Sequence, residues 1–141
     1  MVRKTKMKIM VRKAKIQDVP AIRELISFYS QRGDMLPKAL MEIYEELRDF
    51  FVFVDGGDKV LGCCALHLFW EDLAEIRSLA VGEKNERQGI GSSLVNACMQ
   101  EARSLGISKV FTLTKKPIFF QKQGLKRLTG RSFRIRYGQP A

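Results

Sequence analysis

What this chain lacks narrows its class before any motif is read. No apolar run approaches the roughly 20 residues of a membrane-spanning helix. The amino terminus, MVRKTKMKIMVRKAK, is basic but has no apolar core of the about 7–15 residues that a signal peptide carries. The three cysteines, Cys63, Cys64 and Cys98, show neither metal-ligand spacing nor a disulfide framework. Cys63 and Cys64 are neighbours in an expected strand, so they should point to opposite faces and are not expected to bond each other. The expectation is a reduced, cytoplasmic protein that binds neither a metal nor a membrane.

Acidic residues are missing from both ends. Residues 1–15 hold seven Lys or Arg and residues 115–141 hold eight, with no Asp or Glu in either stretch. The middle, 16–114, carries all fifteen acids against ten bases. The net charge of +10 therefore belongs to the ends, not to one helix interleaved with aromatics, and nucleic acid is not the expected partner.

What is present fits one domain over residues 1–141, with a basic extension at about 1–7. KIMVRKA (Lys8–Ala14) suits a first strand. Asp18-Val19-Pro20 is a helix-start signal, and Ile22, Leu25, Ile26 and Tyr29 follow at helical spacing until Gly33. Pro37 opens a second expected helix with Leu40, Ile43, Tyr44 and Leu47 as its stripe. FFVFV (Phe50–Val54), the turn Asp55-Gly56-Gly57-Asp58 and Lys59–Phe69 read as a hairpin, and a second turn near Glu71-Asp72 leads into Ala74–Val81. Ile90, Leu94, Val95, Cys98, Ala102 and Leu105 form an apolar helical stripe stopped by Gly106. KVFTLT (Lys109–Thr114), a short helix from Pro117 to Gly124, and a final edge strand at about 132–137 complete an order of β-α-α-β-β-β-α-β-α-β.

The chemistry starts at ERQGIGSSL, Glu86–Leu94. A strand, a glycine turn and a helix amino terminus make an anion site, because the first helical N–H groups lack internal partners and the helix dipole favours negative charge there. Leu94 stands where a dinucleotide-binding turn would need its third glycine, and no phosphate-loop Gly-Lys-Ser/Thr is present.

LAV, then QGIGSSL, then a strand, then FFQKQGL resembles the GNAT superfamily of acetyltransferases, over Lys8 to about Lys126. That resemblance implies an α/β (α+β) fold, a mixed and mostly antiparallel central sheet with helices on both faces. It implies acetyl-CoA as cosubstrate, with its pyrophosphate on the glycine turn. The positions that would hold it are Leu79, Ala80 and Val81 on the strand, Arg87, Gln88, Gly89, Ile90, Gly91, Ser92 and Ser93 at the turn, and Phe119 and Phe120 beyond. The family signature begins with Gln or Arg where this chain has Glu86; Arg87, one step late, is expected to take over the charge pairing while Glu86 points away.

MLPKALMEIYEELRDFFV with LAEIRSLAV is similar, more narrowly, to the acetyltransferase domain of N-acetylglutamate synthases, particularly their short stand-alone forms. That similarity implies acetylation of the α-amine of L-glutamate, at the entry to arginine biosynthesis. Lys38 stands where those proteins usually have Arg, and the tail RLTGRSFRIRYGQPA departs from theirs.

Glu75 and Arg77, two apart on a strand, share a face. Glu75 is the candidate catalytic proton acceptor, and Arg77 can clamp a substrate carboxylate, joined by Lys38 and Lys115. An ion pair on a solvated sheet face, and a solvated Lys115-Lys116 pair, are the plainer alternatives. Phe120 occupies the place where many GNAT enzymes carry a tyrosine acid, so the thiolate must leave without it. His67, the only histidine, invites a base role, but its mid-strand position favours a structural or exposed one. Trp70 is expected to pack. Other small or protein amines, and an acyl-CoA-binding module without turnover, remain open. So does the assembly state, with a homodimer among its options.

Overall fold

The computed structural model describes residues 10–128 and, as backbone, 132–136. The basic extension at about 1–7, Lys8 and Ile9 of the expected first strand, and Tyr137 lie outside the described residues.

One mixed sheet forms the centre. Its strands are β1 (Met10–Lys13), β2 (Phe50–Val54), β3 (Val60–Trp70), β4 (Leu73–Val81), β5 (Lys109–Leu113), β6 (Lys126–Arg127) and β7 (Ser132–Arg136). The spatial order is β1-β2-β3-β4-β5-β7-β6, and every pairing is antiparallel except β4 with β5. SFRIR is therefore not the edge strand expected from its alternation. It inserts between β5 and the short β6 that precedes it, and β6 takes the edge. The two residues of β6 carry no periodicity to read.

Helices cover both faces because each strand of the central hairpin is apolar on both. Phe50, Val52, Val54, Cys63, Ala65 and Ala80 pack under α1 (Val19–Gln31) and α2 (Leu40–Glu45). Phe51, Phe53, Cys64, Leu66 and Ile76 pack under α3 (Ile90–Ser104) and α4 (Pro117–Lys122). Cys63 and Cys64 thus fall in different layers, and all three cysteines are free and buried.

Three local expectations are corrected. Helix α2 begins at Leu40 rather than Pro37, and only Ile43 of its expected stripe is fully buried; Leu40 and Tyr44 are exposed. A six-residue helix lies against its neighbours along one row, too short for a stripe. Leu105 is exposed because the chain has already left α3 at Ser104 to turn through Gly106. Trp70 is 72% exposed rather than packed, since the β3–β4 hairpin carries it beyond both helical layers.

Asp18 stands at the start of α1, but its carboxylate caps nothing in that helix. Arg12 draws it back with two hydrogen bonds of 2.7 and 3.1 Å, and Lys15 N–H adds a third. Arg12 also reaches Asp58, so one guanidinium ties β1, α1 and the β2–β3 turn together.

Candidate active site

Two features of β4 open the site. It pairs with β5 only from Leu73 to Glu75, although it runs on to Val81. Ser78, at φ +58°, bulges, and the pairing with β3 shifts there from Ala65↔Arg77 to Cys63↔Ala80. The bulge breaks the two-residue alternation. It leaves Glu75, Arg77 and Ala80 on the α1/α2 side and Ile76, Leu79 and Val81 on the α3 side. The carboxyl-terminal half of β4 therefore offers backbone groups along an edge that β5 leaves open. Ala80 is buried, so any part it plays toward a ligand is through its backbone.

At the end of that edge stands α3. Gly89 takes φ +83°, supplies no side-chain cap, and accepts the first intrahelical bond from Ser93 N–H at 3.0 Å. The N–H groups of Ile90, Gly91 and Ser92 precede that bond, which leaves them for an anion. Arg87, at φ +66°, and Gln88 are exposed beside them. Glu86 is turned away, accepting from the Tyr29 hydroxyl at 2.7 Å, while the same hydroxyl lies 2.5 Å from Val81 O. Burial and the carboxylate push the Tyr29 phenol well above its ordinary value.

The two glycines serve different ends. Gly89 is required by its positive φ, with open space around it. Gly91 makes room inside the fold, because a Cβ there would lie 3.2 Å from Phe119 Cζ. Phe119 stands edge-on to Phe120 at 5.0 Å, and Phe120 is buried in the core rather than open to a ligand. Ser92 Oγ accepts from Gln123 at 2.8 Å, a second tie between the glycine turn and α4.

On the α1/α2 side, charged groups converge. Arg77 donates to Glu46 at 3.1 Å and to Glu75 at 3.4 Å, and Lys38 binds Glu46 at 2.7 Å. Arg77 Nε is buried with no hydrogen-bond partner. Glu75 is 8% exposed. Burial pushes its carboxyl above the ordinary value, against weaker opposing pulls from Arg77, His67 and Lys38. Burial acts the same way on Glu46, but Lys38 and Arg77 overcome it and hold that carboxyl below its usual range. The Glu75–Arg77 pair forms as the plainer alternative supposed, on a packed face rather than a solvated one. Arg77 and Lys38 are not the free cations they seem in the sequence, because Glu46 stands between them. Lys115 donates to Gly33 O at 2.6 Å, across the mouth from α1.

Glu46 and Asp49 escaped the sequence reading, as did Tyr29 in its polar role. A signal existed for the first two: EELRD places Glu46 and Asp49 three apart, hence on one face of a helical turn. His67 Nδ1 lies 2.7 Å from Asp49 Oδ2.

Residues 19–124 match the model of the acetyltransferase (GNAT) family. The chain belongs to that family. This acetyltransferase is 40% identical over 122 residues to an amino-acid acetyltransferase of Mycobacterium tuberculosis, covering 85% of this chain and 70% of that one. A Mycobacterium tuberculosis protein solved in complex with CoA superimposes with a TM-score of 0.80 at 40% identity, over 86% of this chain and 74% of the other. The N-acetylglutamate synthase of Neisseria gonorrhoeae, complexed with coenzyme A and N-acetyl-glutamate, shares the fold at a TM-score of 0.88. At 24% identity the match takes in 96% of this chain and 36% of the synthase. The chain is an N-acetyltransferase with acetyl-CoA as its cosubstrate.

Proposed function

We propose that this acetyltransferase acetylates the α-amine of an amino acid, with L-glutamate as the preferred acceptor, and so serves arginine biosynthesis. The observation that carries the reading is Arg77 Nε, buried and unpartnered, beside the buried carboxyl of Glu75. An unpaired buried donor costs about 1–3 kcal/mol, which a substrate carboxylate on the guanidinium edge would recover. The name of the Mycobacterium tuberculosis relative supports an amino-acid acceptor.

The chain's own groups divide the work. Arg77 orients the acceptor by its carboxylate. Glu75, whose raised affinity for protons suits the task, takes a proton from the attacking amine. The open edge of β4 from Leu79 to Val81, and the N–H groups of Ile90 to Ser92, are the fit for an elongated anionic cosubstrate. Val81 is four residue steps along the strand from Arg77, roughly 13 Å, so an extended cosubstrate on that edge can reach the acceptor held by Arg77. Phe120 cannot donate a proton, so the leaving thiolate accepts a hydrogen bond from water or a backbone N–H instead.

Thiol release from acetyl-CoA, measured against a panel of amino acids and other amines, tests the reading. Turnover should be highest with glutamate. Glu75→Gln should lower kcat by about 10²–10⁴-fold while coenzyme A still binds. Turnover with a different amine in place of glutamate would overturn the acceptor assignment. Binding without any turnover would make the chain an acyl-CoA-binding module.

A further inference from the structure

Glu75 raises a difficulty that its burial creates. A carboxyl at 8% exposure that takes a proton in every turnover must also release it. His67 lies directly opposite Glu75 in the β3–β4 register, so the two side chains leave the same face of the sheet. Its side chain is 31% exposed, which puts it between Glu75 and solvent in accessibility. We propose that His67, held by Asp49, is the exit through which the proton accepted by Glu75 returns to water.

Asp49 decides which ring nitrogen is free to accept. Asp49 is fixed at the end of a single turn, Leu47–Asp49, where its N–H donates to Glu46 O at 2.9 Å. A carboxylate 2.7 Å from Nδ1 selects the tautomer in which Nδ1–H is the donor. Nε2 then keeps its lone pair as the acceptor. Phe69 stands edge-on to the imidazole at 5.3 Å and lies 5.6 Å from Phe111, closing that flank with apolar surface. Among the described residues, the charged groups tied to this cluster are Glu46 just after α2, Arg77 from β4, and Lys38 ahead of α2. Both cations are already drawn to Glu46. One proton moves throughout: from the amine nitrogen to the Glu75 carboxylate, from there to Nε2, and from the imidazolium to water. No electron pair leaves the heteroatoms and no co-reactant is needed.

Glu46, Asp49 and His67 also bring three ligand-type atoms within 4.8 Å of one another. That cluster favours a proton path over a metal cradle because Lys38 and Arg77 already neutralise Glu46. A cation would have to displace both.

The inference rests on Glu75 being the proton acceptor of the proposed reaction, and its test separates the two. The ring's ¹⁵N NMR spectrum needs no turnover and is unambiguous, because His67 is the only histidine. It should show Nδ1 protonated and Nε2 bare, and Asp49→Asn should abolish that preference. A ring protonated at Nε2 instead would overturn the proposal, whatever the enzyme's substrate. In steady-state assays on the full chain, His67→Gln and His67→Asn should each lower kcat about 10–100-fold with KM for the amino acid unchanged. Added imidazole should restore much of the loss. A fall in melting temperature with kcat intact, or a lost kcat that imidazole leaves unrestored, would reduce the dyad to a structural ion pair. Activation by added Zn²⁺ would favour the metal alternative. If wild type turns over no amine at all, the reading of function fails, while the tautomer measurement still decides whether Nε2 can accept.

Discussion

Arg77 stands between two carboxylates, and a substrate carboxylate would be its third. Its ion pairs with Glu46 and Glu75 hold the guanidinium plane in place, while Nε waits unpartnered. A lysine at 77 keeps the charge but loses the planar fork. Arg77→Lys should therefore raise KM for glutamate at least tenfold, about 1.4 kcal/mol, and leave coenzyme A affinity nearly unchanged. Glutamate kinetics, calorimetry with coenzyme A and a melting curve on the same protein check this. If KM stays within about twofold, less than ~0.4 kcal/mol, while the melting temperature falls, Arg77 is an ion-pair residue and the glutamate assignment loses its physical support. Glu75 and Arg77 were legible as a pair from their spacing. The partners that tune them, Glu46 just after α2 and His67 from β3, were not, because their proximity is set by packing rather than by sequence distance.

At the scale of elements, the glycine turn is coupled to α4 through Phe119. Gly91 lacks the Cβ that would press on that ring at 3.2 Å. Gly91→Val should weaken coenzyme A binding at least tenfold, about 1.4 kcal/mol. The part of the loss caused by Phe119 should be relieved by Phe119→Leu. In a double-mutant cycle read by calorimetry, the two positions should couple by at least about 0.5 kcal/mol. Additive effects would assign Gly91 to the ligand alone. In the sequence the two glycines predict room for a ligand. The aromatic ring is not legible beside them, because it comes from a helix 28 residues further along. The Ser78 bulge was equally hidden, since serine gives no warning of a positive φ, yet it decides which face each residue of LAV presents.

Two ion-pair clusters stitch the elements together, one of Arg12, Asp18 and Asp58 and the other of Lys38, Glu46 and Arg77. Burial raises the Asp18 carboxyl, but the Arg12 hydrogen bonds and the Lys15 N–H outweigh it and hold the group below its ordinary value. A depressed carboxyl contributes stability that is fully present above its unfolded value of about 3.9 and is lost as pH falls through its folded value. Asp18→Asn should cost about 2 kcal/mol at pH 7. It should also flatten the loss of stability with acid, as measured by urea unfolding from pH 7 down to about 3. An unchanged slope would show that this network does not govern acid unfolding. Among the described residues, no helix is long and apolar enough to cross a membrane.

The sequence by itself determined the order of the main elements, the two-sided burial of the central hairpin and a helix amino terminus opened by a glycine turn. Each depends on local periodicity, on glycine's freedom or on a capping signal, which a chain carries wherever it lies in space. The tertiary structure alone decided the parting of β4 from β5, the reversal that puts β6 outside β7, and the meeting of Lys38, Glu46, Asp49, His67, Glu75 and Arg77. Those six residues span 40 positions of chain. What brings them together is the burial of α2 and the sheet against one another, a non-local free energy that no short stretch of the sequence can display.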